Sequence, residues 1–502
     1  MTVSITAAVQ LFLLLLLLLL PLLFVHHKTK PKPKCRSPPG PPPLPVIGNL
    51  HQLSLLLHQS LHRLSKIHGP IFKLSLGRVP VLVISSPSLA KQVLKTHDLA
   101  FCSRASTVSF KEYTYDGCDV AGAPYGDSWR NLRKIFVLKL LSSKKLTSFR
   151  LVQEEEIEGM ISSIRTRSDT NATVNITEFV VRLANNITFR VAFGYRSEGE
   201  YGEKSRFQRL LESGNDTVAS FYVGDYFPGL GWLDKMTGKL GKMKRNARDL
   251  DEFYQEVIDA HMKDGRKEDG KEDIVDVLLR LWEEGQLTMD HIKGALMNIF
   301  VGGTDTSSAS IAWAMAELAR KPNVMKKAQE EVRKAASKKG KVEENDLAQL
   351  QYIKCVVNET LRLHPPLPLL VPRETIQHCE INGYDVSAKT RVLVNAWAIG
   401  RDEDAWENPE EFNPDRFVGS SVDYRGQDFQ FIPFGAGRRI CPGIQFGVET
   451  VELALANLLY AFNWELPPGV ERENIDMHEA PGLVTRRATD LRLVATNYKE
   501  AN

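Results

Sequence analysis

The 502-residue sequence is 43% hydrophobic and carries 64 basic against 61 acidic residues, a formal net charge of +3. Such a chain can bury a large core, and length alone predicts about three domains. The charge is too small and too evenly spread for a nucleic-acid binder, and six cysteines without a C-x-x-C spacing speak against a disulfide scaffold or a zinc site.

In chain order, Ala7 to Val25 is almost wholly apolar, with eight consecutive leucines after Phe12. At about 1.5 Å per residue this stretch spans roughly 28 Å, near the thickness of a bilayer core. A cleaved signal peptide would have a shorter apolar region and a small-residue cleavage site. Here Lys28, Lys30, Lys32, Lys34 and Arg36 follow, and no basic residue precedes. The positive-inside rule then puts the rest of the chain in the cytosol. The expected division is a transmembrane anchor over residues 1–27, a basic and proline-rich hinge over 28–48, and the remaining domain over 49–502. Pro38, Pro39, Gly40, Pro41, Pro42, Pro43 and Pro45 make the hinge stiff and extended. N-x-S/T triplets at Asn171, Asn175, Asn186, Asn215 and Asn358 carry no weight in a cytosolic domain.

Leu74 to Ser85 reads as strand, with Val79 to Ile84 between turn residues. Most of the chain from there to about Gln377 has helical periodicity. Within it, Trp129 and Arg133 lie one turn apart, so an indole N–H and a guanidinium can donate to one carboxylate. A half-buried tryptophan on a surface helix fits the same spacing. The charged stretch from Gly265 to Asp273 reads as a solvated loop. A long helix is predicted from about Met289 to Arg320, stopped by Pro322. Gly302 and Gly303 fall inside it at about 1 kcal/mol each relative to alanine, which close approach of a ligand or of another helix would offset. Thr306 can bond the carbonyl four residues back and bend the helix. Glu359 and Arg362 share one helix face, and strand signals return around Tyr384 and from Arg391 to Val394.

Phe434 to Gly443 reads Phe-Gly-Ala-Gly-Arg-Arg-Ile-Cys-Pro-Gly, ahead of an apolar helix from about Ile444 to Phe462. A cysteine just before a helix meets free N–H groups and the positive end of the helix dipole, and both favour the metal-binding thiolate. Pro442 sits where a missing N–H costs nothing. Glycines let backbone approach a flat ligand, and Arg439 can meet an acidic group at its edge.

The form F-x-x-G-x-R-x-C-x-G resembles the haem loop of the cytochrome P-450 family, the haem-thiolate monooxygenases. Trp129 with Arg133, Gly302 to Ser307, Glu359 with Arg362, Pro372-Arg373 and Pro414 to Phe417 match further family motifs in family order, most like plant microsomal members. The resemblance implies a mainly α fold with small β-sheets, a single large haem domain behind an N-terminal membrane anchor, against the length-based prior. It implies haem b with Cys441 as axial iron ligand, in a loop that includes Phe434 and Gly435. Trp129, Arg133, Arg373, Arg439 and Arg104 become propionate ligands, although Ala105 stands where the plant pattern has proline. Thr306 and Asp305 become the oxygen-activation pair, and Glu359, Arg362 and Arg416 a structural network. An anionic sulfur ligand favours O–O cleavage, with O2 as co-substrate. The chain has no P-loop and no dinucleotide fingerprint. Electrons therefore come from a partner, by resemblance an NADPH-dependent reductase in the endoplasmic reticulum membrane, with cytochrome b5 as an optional second donor. Arg130, Lys134, Lys139, Lys144 and Lys145 form a basic patch that can steer an acidic partner. By the same resemblance the substrate pocket takes in Thr107 to Val120, Phe300, Val301, Leu367 to Val371, Leu483 and Val484, which implies a lipophilic small molecule. An O2-independent isomerase or dehydratase and a non-catalytic membrane scaffold are the alternatives. The intact Asp305-Thr306 pair and Cys441 speak against both.

Overall fold

The computed structural model describes residues 36–169, 172–196, 206–218, 220–264, 272–337 and 339–499. The expected anchor, the lysines of the hinge, Asn171 and most of the charged loop after Gly265 lie outside them. Among the described residues no helix is long and apolar enough to cross a membrane.

The longer helices are α1 (Leu57–His68), α2 (Asp127–Ile135), α3 (Ser143–Ser168), α4 (Ile176–Phe193), α5 (Arg206–Val218), α6 (Lys239–Asp264), α7 (Ile274–Glu283), α8 (Met289–Gly303), α9 (Asp305–Arg320), α10 (Pro322–Ala336), α11 (Gln351–Leu363) and α12 (Ile444–Ala461). Their ends follow local chemistry. Asn175 caps α4 by accepting from the Glu178 N–H, and Gly194 closes it in the left-handed region. Asp273 and Asp276 form a reciprocal capping box on α7. Pro322 opens α10 in the first turn, where its missing N–H is harmless.

α9 is the axis of the helical part. Its residues are almost all buried, and it packs against α4, α11 and α12. Alanines and serines dominate its sequence, which lets neighbouring backbones approach closely.

The strands form small sheets. β1 (Ile71–Leu76), β2 (Val79–Ile84), β7 (Arg391–Val394) and β4 (Arg373–Glu374) lie side by side in that order, with β2 and β7 parallel. β5 (Cys379–Ile381) pairs with β6 (Tyr384–Val386), and β9 (Glu479–Ala480) with β10 (Arg486–Arg487). β3 (Thr173–Asn175), β11 (Arg492–Asn497) and β8 (Phe462–Glu465) form an antiparallel sheet with β11 in the middle. The proline run is docked rather than free: Lys73 N–H donates to the Pro39 carbonyl at 2.8 Å, and a Cβ on Gly40 would collide with the Lys73 carbonyl.

The predicted helix from Met289 to Arg320 is two helices. α8 ends at Gly303 and α9 starts at Asp305. The Thr306 hydroxyl donates to the Gly302 carbonyl at 2.6 Å, the local bond that bends helices.

Candidate active site

The loop before α12 is held from several sides. Gly435 and Gly437 have φ near +70°, a region that side chains resist. A Cβ on Gly437 would also strike the Leu94 carbonyl and sit 2.9 Å from the Asp98 carboxylate. Cys441 N–H donates to the Phe434 carbonyl at 3.0 Å, and Phe434 packs edge-on to Tyr424. Gly443 caps α12, so Pro442 lies one residue before the cap and not at the first helical position. The Gly443 N–H points to Cys441 Sγ at 3.4 Å. Burial pushes the Cys441 thiol above its ordinary value, against the Gly443 N–H and the nearby Arg133 charge. The thiolate predicted from the helix end is therefore not favoured by the protein alone; a cation on the sulfur would reverse the balance.

Cationic side chains converge beside this loop. Arg439 lies 4.0 Å over the Trp129 ring and donates to the carbonyls of Cys102 at 2.8 Å and Ala123 at 2.7 Å. Trp129 Nε1–H donates to the Val120 carbonyl at 3.0 Å. Arg104 donates to the carbonyls of Ala121, Val371 and Pro372. Burial lowers the pKa of Arg104, Arg133 and Arg439, the last to about 10. Arg373 is paired with Asp98 at 2.8 Å and donates to the Ala436 carbonyl at 2.9 Å, tying the cysteine loop to Asp98. The amide and guanidinium of Arg438 also reach Asp98. Among the described residues, Arg104 and Arg439 contact only carbonyls and the Trp129 ring, and Arg133 makes no hydrogen bond.

These groups fit a haem. A buried guanidinium without an anion is costly, and the acidic edge of such a cofactor supplies one. Gly302 is exposed although it lies mid-molecule, and a Cβ there would meet no neighbouring atom. Thr306, Phe434, Cys441, Leu370 and Val371 are likewise only part-buried. A cysteine sulfur that a bound iron would hold as thiolate, a cluster of cations and an uncovered helix face suit iron protoporphyrin.

Asp305 is buried and accepts from Arg486 at 2.6 Å and from Asn215. It thus joins α9 to β10 and α5. Burial raises its pKa, while Arg486 and Asn215 oppose the rise. Phe300, expected in the substrate pocket, is fully buried and lies 4.4 Å from Phe207 and 5.0 Å from Phe193, centroid to centroid. It belongs to an aromatic cluster of the core. Val301, Leu367, Leu369 and Leu483 do keep exposed surface.

Glu359 and Arg362 form a bidentate pair at 2.7 and 2.8 Å, and Arg416 joins at 3.0 Å. The first two side chains are 0% exposed, so the pair is more deeply buried than its helix-face spacing suggests. Sequence reasoning missed Asp98, Asp119 and Asn298. Asp119 accepts from Asn298 at 2.9 Å and from the N–H groups of Ala121 and Gly122.

The family model for cytochrome P450 matches residues 38–491. The chain is 49% identical over 460 residues to cytochrome P450 71A1 of Persea americana, covering 90% of this chain and 91% of the relative. It is 46% identical over 464 residues to cytochrome P450 71B26 of Arabidopsis thaliana, covering 91% and 92%. Strychnine-11-hydroxylase of Strychnos nux-vomica is 46% identical over 459 residues, covering 90% of each. A solved zebrafish cytochrome P450, in a structure with abiraterone, superposes with a TM-score of 0.74 at 24% identity, covering 89% of this chain and all of that one. With the cysteine loop, the cation cluster and these relatives in agreement, this chain belongs to the cytochrome P450 family, alongside plant members, and is a monooxygenase.

Proposed function

We propose that this monooxygenase inserts one oxygen atom of O2 into a lipophilic small molecule of plant specialised metabolism, at a haem b ligated by Cys441. The observation that carries the reading is the set of guanidiniums of Arg104 and Arg439, both buried, and of Arg133, part-buried, which among the described residues have no carboxylate in contact, beside a part-exposed cysteine. When bound, haem supplies the oxygen and electron chemistry. The chain's own residues do the rest. Arg104, Arg133, Arg439 and Trp129 would hold the acidic edge, and Arg373, paired with Asp98, would brace Ala436 beside it. Phe434 and Gly435 would line the group beside the Cys441 sulfur, and Gly302 would leave room for it against α8. The Thr306 hydroxyl holds a proton or a water at the bend. Asp305 relays protons from the cluster with Arg486 and Asn215.

Part-buried Val301, Leu367, Leu369 and Leu483 support an apolar substrate. Val46 is 73% and Trp232 54% exposed. The segments that carry them both reach the β1–β2 turn: Gly77 N–H donates to Ile47 and Arg78 N–H to Tyr226. That joined apolar face supports seating on the endoplasmic reticulum membrane behind an anchor over residues 1–27, with residues 28–48 as the hinge. Arg130, Lys134, Lys139 and Lys144 are exposed and support docking of an acidic NADPH-dependent reductase. Lys145 is instead bound to the Glu272 carbonyl.

The test is turnover of plant lipophilic metabolites by the protein and reductase in one vesicle, under 18O2 with NADPH. One labelled oxygen atom in a product is expected. Cys441→Ser should lose the thiolate-type spectrum of the reduced carbonyl complex and all labelling. A Cys441→Ser protein that kept that spectrum would place the ligand on another cysteine and overturn the reading.

A further inference from the structure

The backbone from Asp119 to Ala123 has two differently occupied edges. Its carbonyls face the cations: Val120 accepts from Trp129, Ala121 from Arg104 and Ala123 from Arg439. Its N–H groups face the other way. Val120 and Ala121 donate to Asn298 Oδ1 at 2.9 and 3.0 Å, and Ala121 and Gly122 donate to Asp119. Asn298 Nδ2 donates to Asp119 in turn. A second observation shows that the loop lies flat on α8. A Cβ on Gly294, one turn before Asn298 on the same face, would collide with the Cys118 carbonyl and come within 3.4 Å of the Asp119 Cβ.

Asp119 is 0% exposed. Among the described residues it contacts no cation; burial pushes its carboxyl up, the bonds from Asn298, Gly122 and Ala121 oppose the rise, and its ionised form favours the charge on both Arg104 and Arg439. In a buried setting such a charge is felt beyond contact distance.

We infer that Asp119 and Asn298 form a clamp that sets the position of Arg104, Arg439 and Trp129 toward the cofactor, with Asp119 as their buried counter-charge. Both are positioning residues. The clamp makes α8, which also carries Gly302, the element that orients the cations. The inference rests on the proposed role of Arg104 and Arg439 in holding the acidic edge of haem.

The experiment uses the full-length protein loaded with haem. Haem transfer to excess apomyoglobin, the carbonyl spectrum and the midpoint potential are measured for Asn298→Ala, Asp119→Asn and Arg439→Leu. Both clamp variants should keep the thiolate-type spectrum and lose haem about tenfold faster or more, the usual effect of removing a supporting partner. Asp119→Asn should also move the midpoint potential positive, because the lost negative charge favoured the ferric form. A lower melting temperature with unchanged haem loss and potential would mean a purely structural role and overturn the clamp. If Arg439→Leu leaves haem loss at the wild-type rate, the arginine does not hold the cofactor and both readings fall. If Arg439→Leu speeds haem loss and Asn298→Ala does not, the clamp alone is overturned. Should Asp119→Asn fail to accumulate, Asn298→Ala and Gly294→Ala decide, since each loosens the same loop without altering charge.

Discussion

At the scale of single residues, the Thr306 hydroxyl has a structural place that is shown and a chemical role that is proposed. It donates to Gly302 at 2.6 Å and so marks the bend between α8 and α9. Its removal should spare the fold, because the bend is also set by the exposed glycine and the packing of Gly303 against Thr188. Thr306→Ala is therefore expected to bind substrate and consume NADPH near the wild-type rate. It should yield less product and more hydrogen peroxide, since the proton holder is gone. Equal product and equal peroxide would reduce Thr306 to a packing residue. Cys441, Arg439 and Trp129 could be singled out in the sequence because fixed spacings carry them. Phe300 was misjudged for a physical reason: two residues of helix phase separate the exposed face at Gly302 from the aromatic core, and only packing against Phe207 and Phe193 decides it. Asp119 and Asn298 gave no signal, because neither belongs to a local pattern and their meeting is set by the close approach at Gly294.

At the scale of elements, α11 is anchored by charge. Glu359 accepts from Arg362, Arg416 and the Asn413 N–H, and Arg362 also donates to the Pro409 and Glu411 carbonyls. Glu359→Gln leaves two buried cations under-neutralised, at about 3–5 kcal/mol. Little haem-loaded protein should accumulate, read as the ratio of haem to protein absorbance; a normal ratio would contradict the buried geometry. β9 carries a second anchor. Glu479 accepts from His58 at 2.6 Å, Gln59 at 2.7 Å and Trp397 at 3.0 Å. Burial alone would raise its pKa, but these partners outweigh it and hold the group at about 2. A depressed carboxylate stabilises the fold fully above its ordinary value of 4.5 and loses that contribution as pH falls toward 2. The displacement corresponds to about 3 kcal/mol. Melting curves should then show Glu479→Gln well below wild type at pH 6, with the gap closing toward pH 3. A gap independent of pH would point to packing instead. The strand β7 was readable from its short apolar run and β6 only from the signal at Tyr384, whereas the two-residue β4, β9 and β10 are too short to carry a pattern.

At the scale of the whole molecule, one helical body surrounds α9, and the small sheets sit where distant segments meet. Helical periodicity announced the mainly α class, because each long helix buries one face on its neighbours. Sheet partners were not legible: β2 runs parallel to β7 across most of the sequence, and nothing local records such a pairing. β11 makes the same point more sharply. It is the middle strand between β3 and β8, with Arg492 opposite Asn175 and Ala495 opposite Trp464. Removing residues 491–502 should leave β3 and β8 without a partner and uncover Val174 and Trp464, both buried in the intact sheet. The shortened protein should be recovered mostly aggregated and without a thiolate-type spectrum; a soluble, spectrally normal product would mean that the sheet is dispensable. The central place of β11 also has a consequence during translation. Asn175 leaves the ribosome about 300 residues before its partner, and at about 5–20 residues per second it waits roughly 15–60 s. Cys441 appears late in the same interval. The nascent chain must therefore hold an open strand edge at β3 until β11 has been made. This makes the growing polypeptide dependent on chaperones in a way the finished enzyme is not.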